Sequence, residues 1–137
     1  MSDRIELTIP ARGDLLVLAR LTAATLGTRA GFDIEDIEDL RLAVEELSLS
    51  VSTGSGALRL RFDVEAGCVA VECMEMPSTE CPDGGATAQV DDGEPIAPHP
   101  AALSIQIIEA LVDDYGREMT ARGPRAWMVK RGAAVTS

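Results

Sequence analysis

The residues best placed to do chemistry lie in one segment, Asp33 to Val51, which reads DIEDIEDLRLAVEELSLSV. Glu46 and Ser50 are four residues apart in this segment, and that spacing places two side chains on the same face of a helix. This face could take part in chemistry, because it places a carboxylate beside a hydroxyl. A hydroxyl can bind Mg²⁺ weakly. The ordinary alternative is an acid that is solvated or salt-bridged in an acidic helix, with Ser50 as a small polar neighbour.

The same segment has the strongest helical pattern in the chain. Asp33 is a good N-cap, and Asp36 adds negative charge to the first turn, near the positive end of the helix dipole. Glycine and proline are missing throughout the segment, so nothing in it interrupts a helix. The predicted buried stripe has the three-and-four spacing of an amphipathic helix and consists of Ile37, Leu40, Val44, Leu47 and Val51.

Length and composition favour one acidic globular domain spanning residues 1–137. The chain has 137 residues, of which 46% are hydrophobic, and a formal net charge of −11. Such a chain is a poor ligand for nucleic acid, whose affinity comes from lysine and arginine, and it suits a basic partner better. The sequence contains no signal peptide and no apolar run near 18 residues, so we expect a cytoplasmic protein that does not bind membranes.

The cysteines do not predict a metal site. Cys68, Cys73 and Cys81 are odd in number and lack the CxxC spacing of zinc ligands, and His99 is the only histidine. We interpret the cysteines as reduced and mostly buried thiols, and we predict no metal.

The first half of the chain predicts a strand and a helical hairpin. Residues 4–10 alternate between apolar and polar side chains, as a half-buried strand does. Asp14 is the predicted cap of a helix that runs to about Arg29, and Gly31 separates this helix from the one that begins at Asp33. The predicted apolar face of this first helix consists of Leu15, Leu18, Ala19, Thr22 and Leu26.

The second half predicts four strands, a long loop and a third helix. Residues 58–64 and 68–74 alternate and should pair as a hairpin. Residues 74–101 hold five of the seven prolines and no basic residue, which is typical of a loop. A helix should follow from Pro100 to about Asp114 and end at Tyr115-Gly116, with Leu103, Ile107, Ala110 and Leu111 as its stripe. Residues 117–122 and 125–131 predict the last two strands, with Trp127 and Val129 on one face.

The order of these elements predicts an α+β fold. We expect a two-layer α/β sandwich, with a mixed or antiparallel sheet of about five strands and three helices on one face. The predicted core contains Leu40, Val44, Leu47, Ile107 and Leu111.

Four segments in order resemble one known family. They are IELTIPA, LARLTAATLGTRAGF, IEDLRLAVEEL and IIEALVDDY, and together they extend over nearly the whole chain. They are similar to the RsbW-type anti-sigma factors, which are serine-protein kinases with the histidine-kinase-like (GHKL) ATPase fold. The resemblance implies that fold here, together with homodimers and two partners, a sigma factor and an anti-anti-sigma protein of the STAS type.

The family's nucleotide motifs are altered at the matching positions. Glu46 matches the family's general base, but Ser50 stands where the family has an asparagine that holds Mg²⁺. Glu75 stands where an aspartate reads adenine, and the two glycines that follow it in the family are missing. The glycine-rich start of the family's last helix is matched by residues 102–105, so Ala102 and Ser104 bring side chains where bare N–H groups bind phosphate.

Three altered motifs predict that nucleotide binding is weak or lost. Phosphoryl transfer depends almost entirely on positioned charge and metal, so Glu46 is expected to be vestigial as a catalytic group. No cofactor is expected, and ATP with Mg²⁺ would bind only if the alterations are compensated. The main alternative is an active ATP-dependent kinase of an anti-anti-sigma partner, and a further alternative is a non-catalytic scaffold for another regulator.

The resemblance also implies a partner-binding surface on the first helix. An arginine is central to that surface in the family, and Arg20 occupies the matching place. Leu16 precedes Arg20 by four residues, and the two are predicted to lie together on an exposed face as a binding hot spot. The alternative is that Leu16 and Val17 pack in the dimer or against the second helix, which leaves Arg20 as solvated rim.

Overall fold

A computed structural model describes residues 3–52, 56–76 and 101–132. Within these ranges the chain forms three helices, a short 3₁₀ turn at Gly13–Leu15 and five strands. The helices are α1 (Leu16–Arg29), α2 (Ile34–Val51) and α3 (Ala101–Leu111). The strands are β1 (Asp3–Pro10), β2 (Ala57–Glu65), β3 (Cys68–Met76), β4 (Asp114–Thr120) and β5 (Gly123–Arg131).

The five strands form one sheet in the order β1-β2-β3-β5-β4, and every neighbouring pair is antiparallel. Two tight turns join its hairpins, and each uses a glycine at positive φ, Gly67 at 78° and Gly123 at 120°. Only glycine adopts this backbone region without a steric penalty. The predicted α+β fold is confirmed, and of the two sheet types that the sequence allowed, the antiparallel one is observed.

The helices cover one face of this sheet. On β2 the side chains that point toward the helices are buried, among them Leu58, Leu60 and Phe62, while Arg59 and Arg61 point to the opposite face. This two-residue alternation is the pattern that predicted the strand. The fold therefore has two layers, with an aliphatic core between sheet and helices.

The central element of the helical layer is α2, which packs against α1, α3, β3 and β5. The side chain of Asp33 accepts a hydrogen bond from the Asp36 backbone N–H at 2.8 Å, so its predicted capping role is confirmed. Leu40, Val44 and Leu47 are at most 1% exposed, as predicted for the core. Among the described residues, no helix is both long and apolar enough to cross a membrane.

The start and the buried face of α1 differ from the prediction. Asp14 lies in the 3₁₀ turn, and no side chain caps that turn or α1. The residues buried on α1 are Leu16, Ala19, Ala23, Leu26 and Gly27. Leu15 and Thr22 are only half-buried and Leu18 is exposed, because α1 meets α2 through small residues that a count of large apolar side chains undervalues. Gly27 lies so close to α2 that an added Cβ would be only 3.2 Å from Ile37 Cγ1.

The phase and the end of α3 also differ from the prediction. Ile108 is buried in the core, whereas Ile107 and Leu111 are half-buried and Ala110 is exposed. The helix phase shifts by one residue because the polar Ser104, which is fully buried, belongs to the inward stripe. The helix ends at Leu111.

The residues that were predicted to end α3 belong instead to the sheet. Tyr115 and Gly116 lie in β4, where they pair with Met128 and Trp127 of β5. Backbone pairing with β5 thus overrides the local turn signal of the Tyr-Gly sequence.

Two cysteines lie among the described residues, and both are free thiols. Cys73 is fully buried, and burial raises the pKa of its thiol to about 12 although the Ser48 hydroxyl bonds to it. Cys68 is half-buried, and burial raises the pKa of its thiol as well. Cys81, His99 and residues 77–100 of the predicted loop lie outside the described residues.

We expect Leu47→Ala to lower the free energy of unfolding by about 2–5 kcal/mol, because it leaves a cavity beneath the sheet. Urea denaturation followed by circular dichroism measures this loss. Leu42→Ala is the matched control on the same helix, since Leu42 is 43% exposed and should change stability by no more than about 0.5 kcal/mol. Equal losses in the two variants would contradict the assigned face of α2.

Candidate functional site

Glu46, the predicted vestigial match to the family's general base, lies on α2 where it contacts α3. Glu46 is 8% exposed, and its carboxylate accepts a hydrogen bond from the Ser104 hydroxyl, with 2.9 Å between Oγ and Oε1. Ser104 is completely buried. The structure thus brings together two residues that the sequence placed in separate nucleotide motifs. Their contact joins the middle of α2 to the first turns of α3.

Ser50 is buried one turn after Glu46, but its hydroxyl has a local role. It donates to the Leu47 carbonyl at 2.8 Å, a hydrogen bond within the helix. The Ser50 carbonyl accepts two hydrogen bonds from the Arg117 guanidinium, at 3.1 and 3.3 Å. Arg117 reaches α2 from β4, and its guanidinium closes this end of the site. A cation bound to a carbonyl near the C-terminal end of a helix is electrostatically favourable.

The residues at the other two motif positions are less enclosed. Glu75 is half-buried near the end of β3, and Ala102 is exposed at the start of α3. Positions 102–104 are those where the resemblance implies a glycine-rich turn, and each carries a side chain here.

The two serine hydroxyls of this site make hydrogen bonds within the protein. A hard cation needs several oxygen ligands converging on one point. The hydroxyls of Ser50 and Ser104 instead donate to the Leu47 carbonyl and to Glu46. Among residues 3–52, 56–76 and 101–132, no three acidic, cysteine or histidine side chains are grouped as a metal site.

A buried ion cluster that the sequence did not predict fixes the start of α2. Lys130 on β5 is 9% exposed, and its Nζ lies 3.7 Å from Asp36 Oδ1 and 3.6 Å from Asp39 Oδ2. The same ammonium donates to the Leu111 carbonyl at 2.8 Å. One lysine therefore holds α2, α3 and the sheet together. The sequence indicated this cluster only through a lysine at an inward-facing strand position.

The predicted partner-binding pair on α1 is separated by the structure. Leu16 is only 5% exposed, which contradicts its predicted place on an open face, because it packs into the core beside α2. Arg20 is half-buried, and its Nη1 lies 3.3 Å from Glu45 Oε1. Arg20 thus links α1 to α2 at the border of the exposed surface.

The exposed apolar residues of α1 are those that sequence reasoning missed. Val17 is 38% exposed, Leu18 is 41% exposed and Leu21 is 55% exposed. Their spacing of one, three and four residues places them on one side of the helix. We call these three residues the α1 apolar patch. The run LLVL showed that α1 has more apolar residues than one buried stripe needs, but not which of them face outward.

Comparison with known proteins finds relatives over part of the chain. The chain is 37% identical over 49 residues to the serine-protein kinase RsbW of Bacillus cereus (strain AH187), a match that covers 36% of this chain and 31% of the relative. It is 46% identical over 46 residues to serine-protein kinase RsbW of Listeria monocytogenes serotype 4a (strain HCC23), covering 34% of this chain and 29% of the relative. No protein-family model matches the chain.

The match therefore spans about a third of the length of the relatives and a similar share of this chain. Over that third the predicted resemblance to the RsbW type is confirmed. The five-stranded sheet with helices on one face agrees with the fold that the resemblance implied.

We expect the contact between Ser104 and Glu46 to stabilise the fold. Ser104→Ala should lower the free energy of unfolding by about 1–3 kcal/mol, because a buried carboxylate loses a hydrogen-bond donor. A double-mutant cycle with Glu46→Gln isolates the pair and should give a coupling energy of about 0.5 kcal/mol or more. Ser50→Ala, which removes a buried hydroxyl bonded to the Leu47 carbonyl of its own helix, is the control. Strictly additive losses would refute a direct role for this contact.

Proposed function

We propose that the protein is a cytoplasmic anti-sigma regulatory factor of the RsbW type with a GHKL-like fold. In this proposal it controls transcription by binding a sigma factor, an anti-anti-sigma factor of the STAS type, or both, and it pairs as a homodimer. Nucleotide binding is weak or lost. Similarity to the RsbW kinases supports the family, and the contact between Ser104 and Glu46 is the observation that supports the loss of nucleotide chemistry.

The closure of the site supports this loss on physical grounds. A general base must reach the proton that it abstracts, and Glu46 instead accepts a buried hydrogen bond from α3. Ser104 lies at the position where the family's phosphate-binding glycines would be, so a side chain stands where the family has bare backbone. The Arg117 side chain is held on the Ser50 carbonyl, which fixes the neighbouring part of the site.

Partner binding is assigned to the α1 apolar patch together with Arg20. Exposed leucine and valine beside an arginine have the make-up of an interface core with a charged border. The neighbouring helix α2 carries six acidic residues and one basic residue, Arg41. This charge would favour a partner segment with basic residues, and it would steer the approach of that segment.

Two other functions remain as alternatives. An active serine kinase is favoured by the retained carboxylate of Glu46 and by the name of the relatives, which are serine-protein kinases. A scaffold that binds another regulator would use the same exposed side of α1 without any sigma factor. Nucleotide binding separates the first alternative from the proposal, and the identity of the captured partner separates the second.

We expect Mg²⁺-ATP to bind no more tightly than about 1 mM, or roughly −4 kcal/mol, when titrated into the purified protein in a calorimeter. Ser50→Asn alone should not restore binding, because Ala102, Leu103 and Ser104 still occupy the phosphate approach. Ser50→Ala serves as the matched control for any change of stability at this position. Micromolar affinity for ATP in the parent protein would establish the kinase alternative instead.

We expect α1 variants to weaken binding to a sigma factor or STAS-type protein encoded in the same genome, measured by surface plasmon resonance with purified proteins. Arg20→Ala should cost about 2 kcal/mol or more, near thirtyfold in affinity, and Leu21→Ala at least about tenfold. Stability should change by less than about 1 kcal/mol, because the contact between Arg20 and Glu45 is partly exposed.

Met119→Ala is the matched control for this surface. Met119 is 71% exposed and lies on β4, so its removal deletes an exposed apolar side chain outside α1. The proposal fails if Arg20→Ala and Leu21→Ala bind the partner as tightly as the parent protein does. It also fails if none of the sigma factors or STAS-type proteins binds the parent protein.

A further inference from the structure

The strand β1 lies at one edge of the sheet, and one side of its backbone points away from β2. Among the strands that the structure describes, β2 is its only neighbour, and the two pair in regular antiparallel register. The Ala11 N–H donates to the Gly56 carbonyl at 2.9 Å, one step beyond the last pair of this register. In an antiparallel ladder every second residue bonds to the partner strand. The odd-numbered residues of β1 therefore bond to β2, and the N–H and C=O groups of Arg4, Glu6 and Thr8 point outward.

The position of Pro10 agrees with this assignment. Proline has no backbone N–H, so within sheets it occurs where that group would point away from a neighbouring strand. Pro10 is the next even-numbered residue after Thr8, and its carbonyl accepts a hydrogen bond from the Arg12 N–H at 2.8 Å. Within the described ranges of the chain, no strand pairs with the outward groups of residues 4, 6 and 8.

The apolar side of β1 is covered less completely than that of β2. Ile5 and Leu7 are half-buried, whereas Phe62 and Leu60, their partners in the register, are completely buried. In the described sheet β2 has a strand on each side, and β1 has a strand on one side. A further strand would cover the exposed parts of Ile5 and Leu7, because its side chains alternate between the same two faces of the sheet.

The helix α1 adds a third apolar side chain beside this edge. Arg29 of α1 forms an ion pair with Asp3 at the start of β1, with 2.8 Å between Nε and Oδ2. Leu18 precedes Arg29 by eleven residues. This separation is about three full turns, so the two side chains lie on the same side of the helix. Leu18 is 41% exposed, and it therefore lies on the β1 side of α1 and is partly open to solvent. We call Ile5, Leu7, Leu18 and the outward backbone groups of residues 4, 6 and 8 the β1 edge.

The β1 strand lacks the usual protection of an edge strand. Natural edge strands are often interrupted by a bulge, a proline or a lysine, which prevents unwanted pairing. β1 contains no lysine, its register has no bulge, and its one proline stands at its last position. Its charged side chains are held in ion pairs. Arg4 and Glu6 bind side chains of β2, at 2.8 Å from Asp63 and 3.2 Å from Arg59. A strand from another molecule can therefore approach without meeting an unpaired charge on β1.

These features select an extended segment of a partner protein as the occupant. The outward backbone groups fit a backbone in the same conformation, and the three apolar side chains fit alternate apolar residues. A second copy of this chain is disfavoured, because two chains with a net charge of −11 each repel one another. The same charge favours a partner segment with lysine or arginine at its polar positions.

We propose that the β1 edge binds an extended, basic segment of a partner protein, which joins the sheet as a further strand beside β1. The apolar residues of this segment pack on Ile5, Leu7 and Leu18, and its polar residues lie on the face of the sheet opposite the helices. The inference goes beyond the proposed function, because it requires neither a sigma factor nor a STAS-type protein.

Amide hydrogen exchange, measured by NMR on the full chain, tests this site. The probe is a synthetic peptide of eight residues, the length of β1, in which valine alternates with lysine and threonine. In the free protein the amides of Arg4, Glu6 and Thr8 should exchange fast and those of Ile5 and Leu7 slowly, because only the latter two donate to β2. Saturating peptide should slow exchange of the three outward amides at least about tenfold.

Thr8→Pro is the matching variant, because it removes one outward N–H and keeps the hydrogen bonds to β2. Proline is tolerated at such a position, as Pro10 shows, so the variant should fold. It should weaken binding of the fluorescently labelled peptide at least about tenfold, measured by anisotropy. Thr8→Ala, which keeps the N–H, is the matched control and should bind within about twofold of the parent protein.

The inference fails if the outward amides are already protected in the free protein. Protection at every protein concentration means that another part of the chain covers the edge, and protection that rises with concentration means that a second copy does. Unchanged exchange with about 1 mM peptide, or equal affinity of the parent protein and a folded Thr8→Pro variant, also overturns it. If Thr8→Pro does not fold, exchange in the parent protein decides alone. Each of these outcomes leaves the proposed function standing, because Arg20→Ala and Leu21→Ala test that function separately.

Discussion

The structure depends on the burial of an acidic helix on three sides. The helix α2 lies between α1 and α3 and against the sheet, yet it carries six acidic residues in eighteen positions. Burying an unpaired charge is far more costly than burying a neutral polar group, so buried acids need partners. Lys130 meets the carboxylate of Asp36 from the sheet, and Ser104 meets that of Glu46 from α3. These polar contacts fix where α3 sits, while the aliphatic stripe of α2 supplies the bulk of the burial.

This constraint explains which parts of the fold could be predicted from the sequence. One-sided burial is directly visible in the alternation of a strand such as β2 and in the apolar stripe of α2. Both elements were identified correctly. The phase of α3 was missed by one residue because its inward stripe contains Ser104, whose burial depends on an acid 58 positions away. The start of β4 was missed because its pairing with β5 outweighs a local Tyr-Gly turn signal.

The candidate site was predictable in membership but not in geometry. The resemblance named Glu46 and Ser50 through one motif and Ser104 through another, and the structure brings Glu46 and Ser104 into contact. Pattern alone could not tell which of the apolar residues of α1 face outward, because its buried residues include Ala23 and Gly27, which add little to an apolar pattern. Leu16 is therefore buried, and Val17, Leu18 and Leu21 form the exposed surface.

The proposed loss of nucleotide binding and the proposed partner surface on α1 share one physical basis in the packing of the helices. In a nucleotide-binding protein of this fold, the space between the two helices must stay accessible, and the polar groups that line it must remain available to bind the ligand. Here the polar groups of α2 and α3 satisfy one another, so the contact can stabilise the fold continuously. In the proposed function, recognition then falls to the outer side of α1. Two partners that both bind this side of α1 would exclude one another, so regulation by competition follows from the proposed function.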